Sequence, residues 1–160
     1  MTFQAKQFYR KLDGLLHEID AGTGDAKWFT WLLREIVERF GDELSIESGR
    51  LYSEGNGGFH LKRDYKSKDP SVRGLVIPES YRPLQLVLEH GVYIFDGTVD
   101  GQDAALENRL GGLESVSILI EGRPRRLLAF GLRSGWDRDH LDFAVKTIRN
   151  AINQRLAVVD

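Results

Sequence analysis

Apolar residues near the start of the chain recur every three or four positions. Phe8, Leu12, Leu15, Leu16 and Ile19 draw one stripe, and that spacing predicts a helix over 2–20. Gly22-Thr23-Gly24 interrupts it. Asp25 stands where a side-chain cap is wanted, so a second helix is expected over 26–40, stopped by Gly41. Phe29, Leu32, Leu33, Ile36, Val37 and Phe40 make its inner face. Trp28 and Trp31 widen that face, which predicts burial on more than one side.

The period then changes. Segments 44–53 and 58–65 read as strands, joined by Glu54-Gly55-Asn56-Gly57, where Asn-Gly is a hairpin signal. Residues 66–73 read as a charged loop. A short helix is expected over 80–89, with Leu84, Val87 and Leu88 inward and Gly91 as its stop, then a short strand over 92–95. Segment 96–112 is irregular, with one helical turn over 104–110. In 115–121, Val116, Ile118 and Ile120 alternate with Ser115, Ser117 and Glu121. In 125–133, Arg126, Leu128, Phe130 and Leu132 alternate with Leu127, Ala129 and Gly131. Period two on both sides of Gly122-Arg123-Pro124 predicts an antiparallel hairpin. The basic knot Arg123-Pro124-Arg125-Arg126 is therefore a solvated turn and the first exposed strand positions, rather than a grip on nucleic acid. Asp137 is positioned to cap a last helix over 137–157, and Trp136 with Leu141 has the spacing of a hydrophobic staple. Two helices, a core of hairpins over 43–133 and a closing helix define one α+β domain over 1–160, an antiparallel sheet with its terminal helices on one face.

Composition narrows the chemistry. The 160 residues carry 22 Lys+Arg against 24 Asp+Glu, a net charge of −2, which lacks the basic field of most nucleic-acid-binding domains. There is no cysteine, so disulfides, thiolate metal sites and thiol catalysis are excluded. The four histidines (His17, His60, His90, His140) show no metal-binding spacing. No apolar run approaches membrane-spanning length, and the opening MTFQAKQFYRKLDG is polar, so a cytoplasmic domain with no membrane partner is expected. Glu54 to Gly58 is glycine-rich but precedes no helix, which is not the geometry of a phosphate cradle. Nothing pairs a base with a positioned nucleophile, so no enzyme is expected.

The element order, with three landmarks, resembles a GAF domain. Glu89-His90-Gly91-Val92-Tyr93-Ile94-Phe95-Asp96 looks like that family's helix end, glycine turn and pocket strand. Residues 115–135 look like its last two strands, and 136–156 like its closing amphipathic helix. A PAS domain is the nearest rival, and two helices before the first strand favour GAF. The resemblance implies a profilin-like antiparallel sheet of five or six strands. One face packs on the N- and C-terminal helices, and the other holds a ligand pocket. It implies a non-covalent small-molecule sensor that relays through its terminal helices to an output domain in the same parent chain. The parent would be a bacterial signal-transduction or transcription-regulatory protein. Homodimerisation through the terminal helices is expected with it, and the end at Val158-Val159-Asp160 fits an excised piece. The alternative is a dimerisation module with a vestigial pocket and no ligand. Covalent bilin attachment is excluded by the missing cysteine, and the Asn-Lys-x-Phe-Asp-Glu pattern of the cyclic-nucleotide branch is absent.

Mapped onto the chain, the resemblance makes Tyr93, Phe95 and Asp96 candidates on the pocket strand. Tyr81 and His90 flank the short helix. Phe59 and Arg63 lie on the second strand, and Arg109 lies in the covering loop. Arg63, Arg82 and Arg109 could fix a carboxylate or phosphate. Each has a plainer reading: the aromatics as core, the arginines as solvated, and His90 as a cation at a helix C-terminus.

Overall fold

The computed structural model describes residues 4–66 and 74–159. Most of the expected 66–73 loop and the first residues of the expected first helix lie outside them. Helix α1 (Ala5–Asp20) buries Phe8, Leu12, Leu15 and Ile19, the predicted stripe. Helix α2 (Ala26–Phe40) starts at the expected cap, where Asp25 Oδ1 accepts from the Trp28 N–H at 2.8 Å. Strands β1 (Ile46–Gly55) and β2 (Gly58–Tyr65) meet through Asn56-Gly57. Gly57 takes φ +83°, a conformation that favours glycine. The short β3 (Val76–Pro78) was not expected from the sequence; it pairs with β2. Helix α3 (Arg82–His90), strand β4 (Val92–Asp96), helix α4 (Ala104–Leu110), strands β5 (Glu114–Ile120) and β6 (Arg126–Leu132), and helix α5 (Arg138–Val159) complete the order.

The strands form one six-stranded sheet, ordered β3-β2-β1-β6-β5-β4, with every described pair antiparallel. Two register slips, at Glu47 on β1 and Lys62 on β2, shift the phase of β1 against its neighbours. On one face, Leu51, Val116, Ile118, Leu128 and Phe130 pack against α1, α2 and α5 in a continuous apolar core. On the other, Tyr52, Leu119, Leu127 and Phe95 pack under α3 in a smaller one.

The basic knot divides. Arg123 and Pro124 are exposed at the turn. Arg125 forks onto Glu54, at 3.1 and 2.6 Å, and the Arg126 guanidinium sits 4.4 Å from the centroid of Phe29. Two of its three arginines are thus half-buried against the sheet and α2, not free at a tip. At the start of α5, Asp137 accepts from the His140 N–H at 2.9 Å, and the half-buried Trp136 donates to Glu114 at 3.0 Å.

Fully buried Phe130 anchors the larger core. Phe130→Ala is expected to cost about 3–5 kcal/mol, and Asp25→Ala about 1 kcal/mol through the lost cap. Urea unfolding of the two variants should reproduce that order.

Candidate functional site

The smaller core is where the sheet is left incompletely filled. In the β5–β6 ladder, Ser117 lies opposite Ala129 and Ser115 opposite Gly131. Ser115, Ser117 and Ala129 line the space beneath α3 and α4, and Gly131, which has no side chain, lies under the Gly111 carbonyl that follows α4. Above Ser117 and Ala129 a gap of about 40 Å³ remains, walled by Tyr52, Tyr81, Phe95 and Glu107. That is room for one or two waters; sites that hold drug-sized ligands are roughly 300–1,000 Å³.

Three polar side chains meet there. The Tyr52 ring and hydroxyl are fully buried; the hydroxyl makes no hydrogen bond of regular geometry among the described residues, and the Arg50 guanidinium lies close beside it. Burial is the main reason its pKa is pushed up to about 12, and the nearby Arg50 charge opposes the shift. Tyr81, one residue before α3, donates its hydroxyl to Glu107 Oε1 at 2.7 Å and accepts from the Asp103 N–H at 2.9 Å. Burial also raises the Tyr81 pKa. Glu107 is 5% exposed, the one buried residue of α4. Desolvation raises its pKa, and the hydrogen bonds from Tyr81 and Gln102 work against that rise.

Arg50 is 2% exposed. Its Nε donates to Asp64 at 3.2 Å, and its Nη1 donates to the backbone carbonyl of Arg109 at the end of α4. A buried guanidinium in the middle strand therefore ties the covering helix to the sheet. Gln102 Nε2 adds a bond to the Leu113 carbonyl at 3.3 Å. Helix α4 is thus held over the gap by the Tyr81 and Arg50 bonds and by Leu110, which packs against the smaller core.

Of the candidates named from the sequence, Tyr81 and Phe95 line the gap. Phe59 is buried in the same apolar cluster but does not line the gap. Tyr93 is half-buried, 4.8 Å from Phe95 and 5.6 Å from His90 between ring centroids, so it leads from the gap out to the exposed end of α3. Asp96 is exposed in an open groove beside α5. Its carboxyl accepts from the Thr98 hydroxyl and N–H, with Arg138 3.4 Å away, and the Thr98 bonds are the main cause of its lowered pKa. Arg63, Arg82 and Arg109 have exposed side chains. Arg63 bonds the Lys62 carbonyl and borders a groove on α2, on the far side from the gap.

Tyr52, Glu107, Ser117 and Arg50 were not among the sequence candidates. A signal for the gap existed: in a hairpin turning at 122–124, the small residues Ser115, Ser117, Ala129 and Gly131 fall on one face. Among the described residues no group of three or more His, Asp or Glu is placed to hold a metal, and no helix is long and apolar enough to cross a membrane.

No protein-family model matches the sequence, and no curated protein matches it either. Solved structures do match its fold. The chain is similar to the GAF domain of a phosphoenolpyruvate-protein phosphotransferase from Coxiella burnetii, at 14% identity, 96% coverage of this chain, 95% of that one and a TM-score of 0.68. It is similar to the A. aeolicus nlh2 GAF domain in an inactive state, at 13% identity, 96% and 99% coverage and a TM-score of 0.63. It is also similar to the phycoerythrobilin-bound GAF domain of a cyanobacterial phytochrome, at 15% identity, 94% and 97% coverage and a TM-score of 0.60. The chain has the GAF fold, a central antiparallel sheet with terminal helices on one face and short helices on the other.

Glu107 supplies a pH test. A carboxyl whose pKa is raised on folding binds its proton more tightly when folded. Its contribution is present in full below the ordinary glutamate value and is lost as pH rises through the folded value. Glu107→Gln keeps an acceptor for Tyr81 without a charge to bury. The variant should therefore gain stability relative to the parent as pH rises from about 4 to about 8, measured by urea midpoints at each pH. A difference that stays flat across that range would exclude the effect.

Proposed function

We propose that this chain is a regulatory domain. It binds a small molecule non-covalently between the sheet and the α3–α4 cover and relays occupancy through its terminal helices to an output domain of a bacterial signalling or transcription-regulatory protein. The observation that carries the reading is the buried Tyr52 hydroxyl, which makes no hydrogen bond of regular geometry among the described residues and faces the same gap as the buried Glu107. An unmet buried polar group costs about 1–3 kcal/mol, and a ligand that met it would recover that cost. The GAF-fold neighbours are consistent with this role, and one of them is bilin-bound. This chain has no cysteine to attach such a group covalently.

A relay has a physical starting point. Gly91, with φ +83°, ends α3, and a Cβ there would lie 2.7 Å from Arg149 Cζ. Arg149 belongs to α5, and its Nε donates to the Leu119 carbonyl at 2.8 Å. Displacement of α3 by a ligand would therefore press on the closing helix. Homodimerisation through α1 and α5 fits the same scheme. Tyr9 is 50% exposed and Phe143 48%, and their rings lie 6.1 Å apart on that outer surface.

The small size of the gap favours a second reading, a dimerisation module with a vestigial pocket. The two readings separate in one experiment: native mass spectrometry of the freshly purified chain, with thermal shift against a metabolite library. At 100-fold excess over Kd, ligand binding adds about 2.7 kcal/mol, on the order of 5–10 °C for a domain of this size. That shift should vanish in Ser117→Leu, which fills the gap. A library that moves nothing, with no co-purifying mass, leaves the module reading. Light scattering should give a dimer, weakened to monomer by Phe143→Glu; a monomeric parent at high concentration would end the dimer proposal.

A further inference from the structure

The polar lining of the gap favours acceptors, and that biases which ligands it can take. Glu107 presents a carboxyl inside an apolar wall, and the Tyr52 hydroxyl can accept as well as donate. The exposed arginines that could answer an anion do not line the gap. Arg63, Arg82 and Arg109 are exposed. Arg50, the buried cation among the described residues, lies beside the Tyr52 hydroxyl but does not line the gap, and its charge is engaged by Asp64 and by the Arg109 carbonyl. A carboxylate or phosphate placed beside Glu107 would meet like charge at low dielectric. The walls that remain are the rings of Tyr52, Tyr81 and Phe95, which suit a flat molecule.

Resting on the reading of this gap as the ligand site, we propose that its ligand is a small planar molecule, neutral or cationic. Its N–H groups donate to Glu107 and Tyr52, and anionic metabolites are rejected. Entry requires α4 to lift, because the gap of about 40 Å³ does not admit a ring. The construction of α4 allows this. It fully buries a single side chain, Glu107, packs Leu110 against the smaller core, and is tied down by bonds from Tyr81 and Arg50. A ligand N–H at Glu107 would replace the Tyr81 bond that holds the helix shut.

Three matched probes test the charge preference: benzamidine, benzamide and benzoate share one ring and differ in the group that meets Glu107. Their Kd values for the full chain are measured by NMR titration, with amides of β5 and α4 as reporters. Benzamidine and benzamide are expected to bind at least about tenfold tighter than benzoate. Glu107→Gln should cut the benzamidine-over-benzoate ratio on the order of tenfold, and Tyr52→Phe should weaken benzamide while leaving the fold intact by circular dichroism. Benzoate binding as tightly as benzamidine overturns the proposal, as does the absence of any shift from all three at about 10 mM. The metabolite screen separates the two claims. A carboxylate or phosphate that raises Tm in a Ser117-dependent way preserves the sensor reading and removes this one. If probes and library both fail, both readings fall.

Discussion

The hairpin of β5 and β6 is apolar on both sides, and the rest of the molecule is arranged to keep both sides from water. Val116, Ile118, Leu128 and Phe130 face one way; Leu119 and Leu127 face the other. At about 25 cal/mol per Å² of apolar surface, neither face could be left open. One is covered by α1, α2 and α5, which bring long stripes of Leu, Ile and Phe and leave a dry, filled core. The other receives only the short α3 and α4, and the sheet beneath them carries serine, alanine and glycine. A sheet apolar on both sides with unequal covers places its one weakness on a single face.

The two covers also differ in what holds them. The terminal helices are held by packing, where each fully buried Leu, Ile or Phe contributes about 1.5–3 kcal/mol. Helix α4 has far fewer such contacts: the charged bonds of Tyr81 to Glu107 and of Arg50 to the Arg109 carbonyl, each about 1.5–3 kcal/mol net, and the partly buried Leu110. Local opening free energies scale with such contacts, so α4 is the element expected to open first. The Arg50–Asp64 pair adds cost as well as grip, since a guanidinium 2% exposed must be repaid in full by its partners.

Much of this was legible in the sequence because it depends on period alone. The stripes of α1, α2 and α5, the Asp25 and Asp137 caps and the Asn56-Gly57 turn are local signals, and the structure places them at the expected positions. Strand β3 was not legible, because three residues carry no period and it exists only by pairing with β2. Tyr93 and Phe95 were readable as one face of an edge strand. Tyr52 was not, because the slips at Glu47 and Lys62 break the alternation that would have assigned it a face. Nothing local in the sequence marks Glu107 or Arg50 as buried. Their burial comes from residues 14 to 59 positions away in sequence, and composition carries no trace of that. The arginines taken as anion clamps show the converse: residue type gives capacity, and only the fold gives direction.

A reversible sensor needs a cover whose release is small beside the stability of the whole, and a connection from that cover to the chain ends. These requirements conflict if one core serves both. In the proposed sensor they would be divided between the faces of the sheet. Helix α5 packs Leu141, Val145, Ile148 and Ile152 into the dry core, so it stays folded when α4 moves. The same helix sends Arg149 past the sheet to the Leu119 carbonyl and the Gly91 turn that ends α3. Because Leu119 also donates its N–H to the Gly91 carbonyl at 2.7 Å, the turn, the strand and the helix share one set of bonds. In the proposed sensor, a shift of α3 would first meet the Arg149 guanidinium at Gly91. Such a shift would either break the Arg149 bond to the Leu119 carbonyl or displace α5, whose packed face would carry the second as a movement of the helix as a unit.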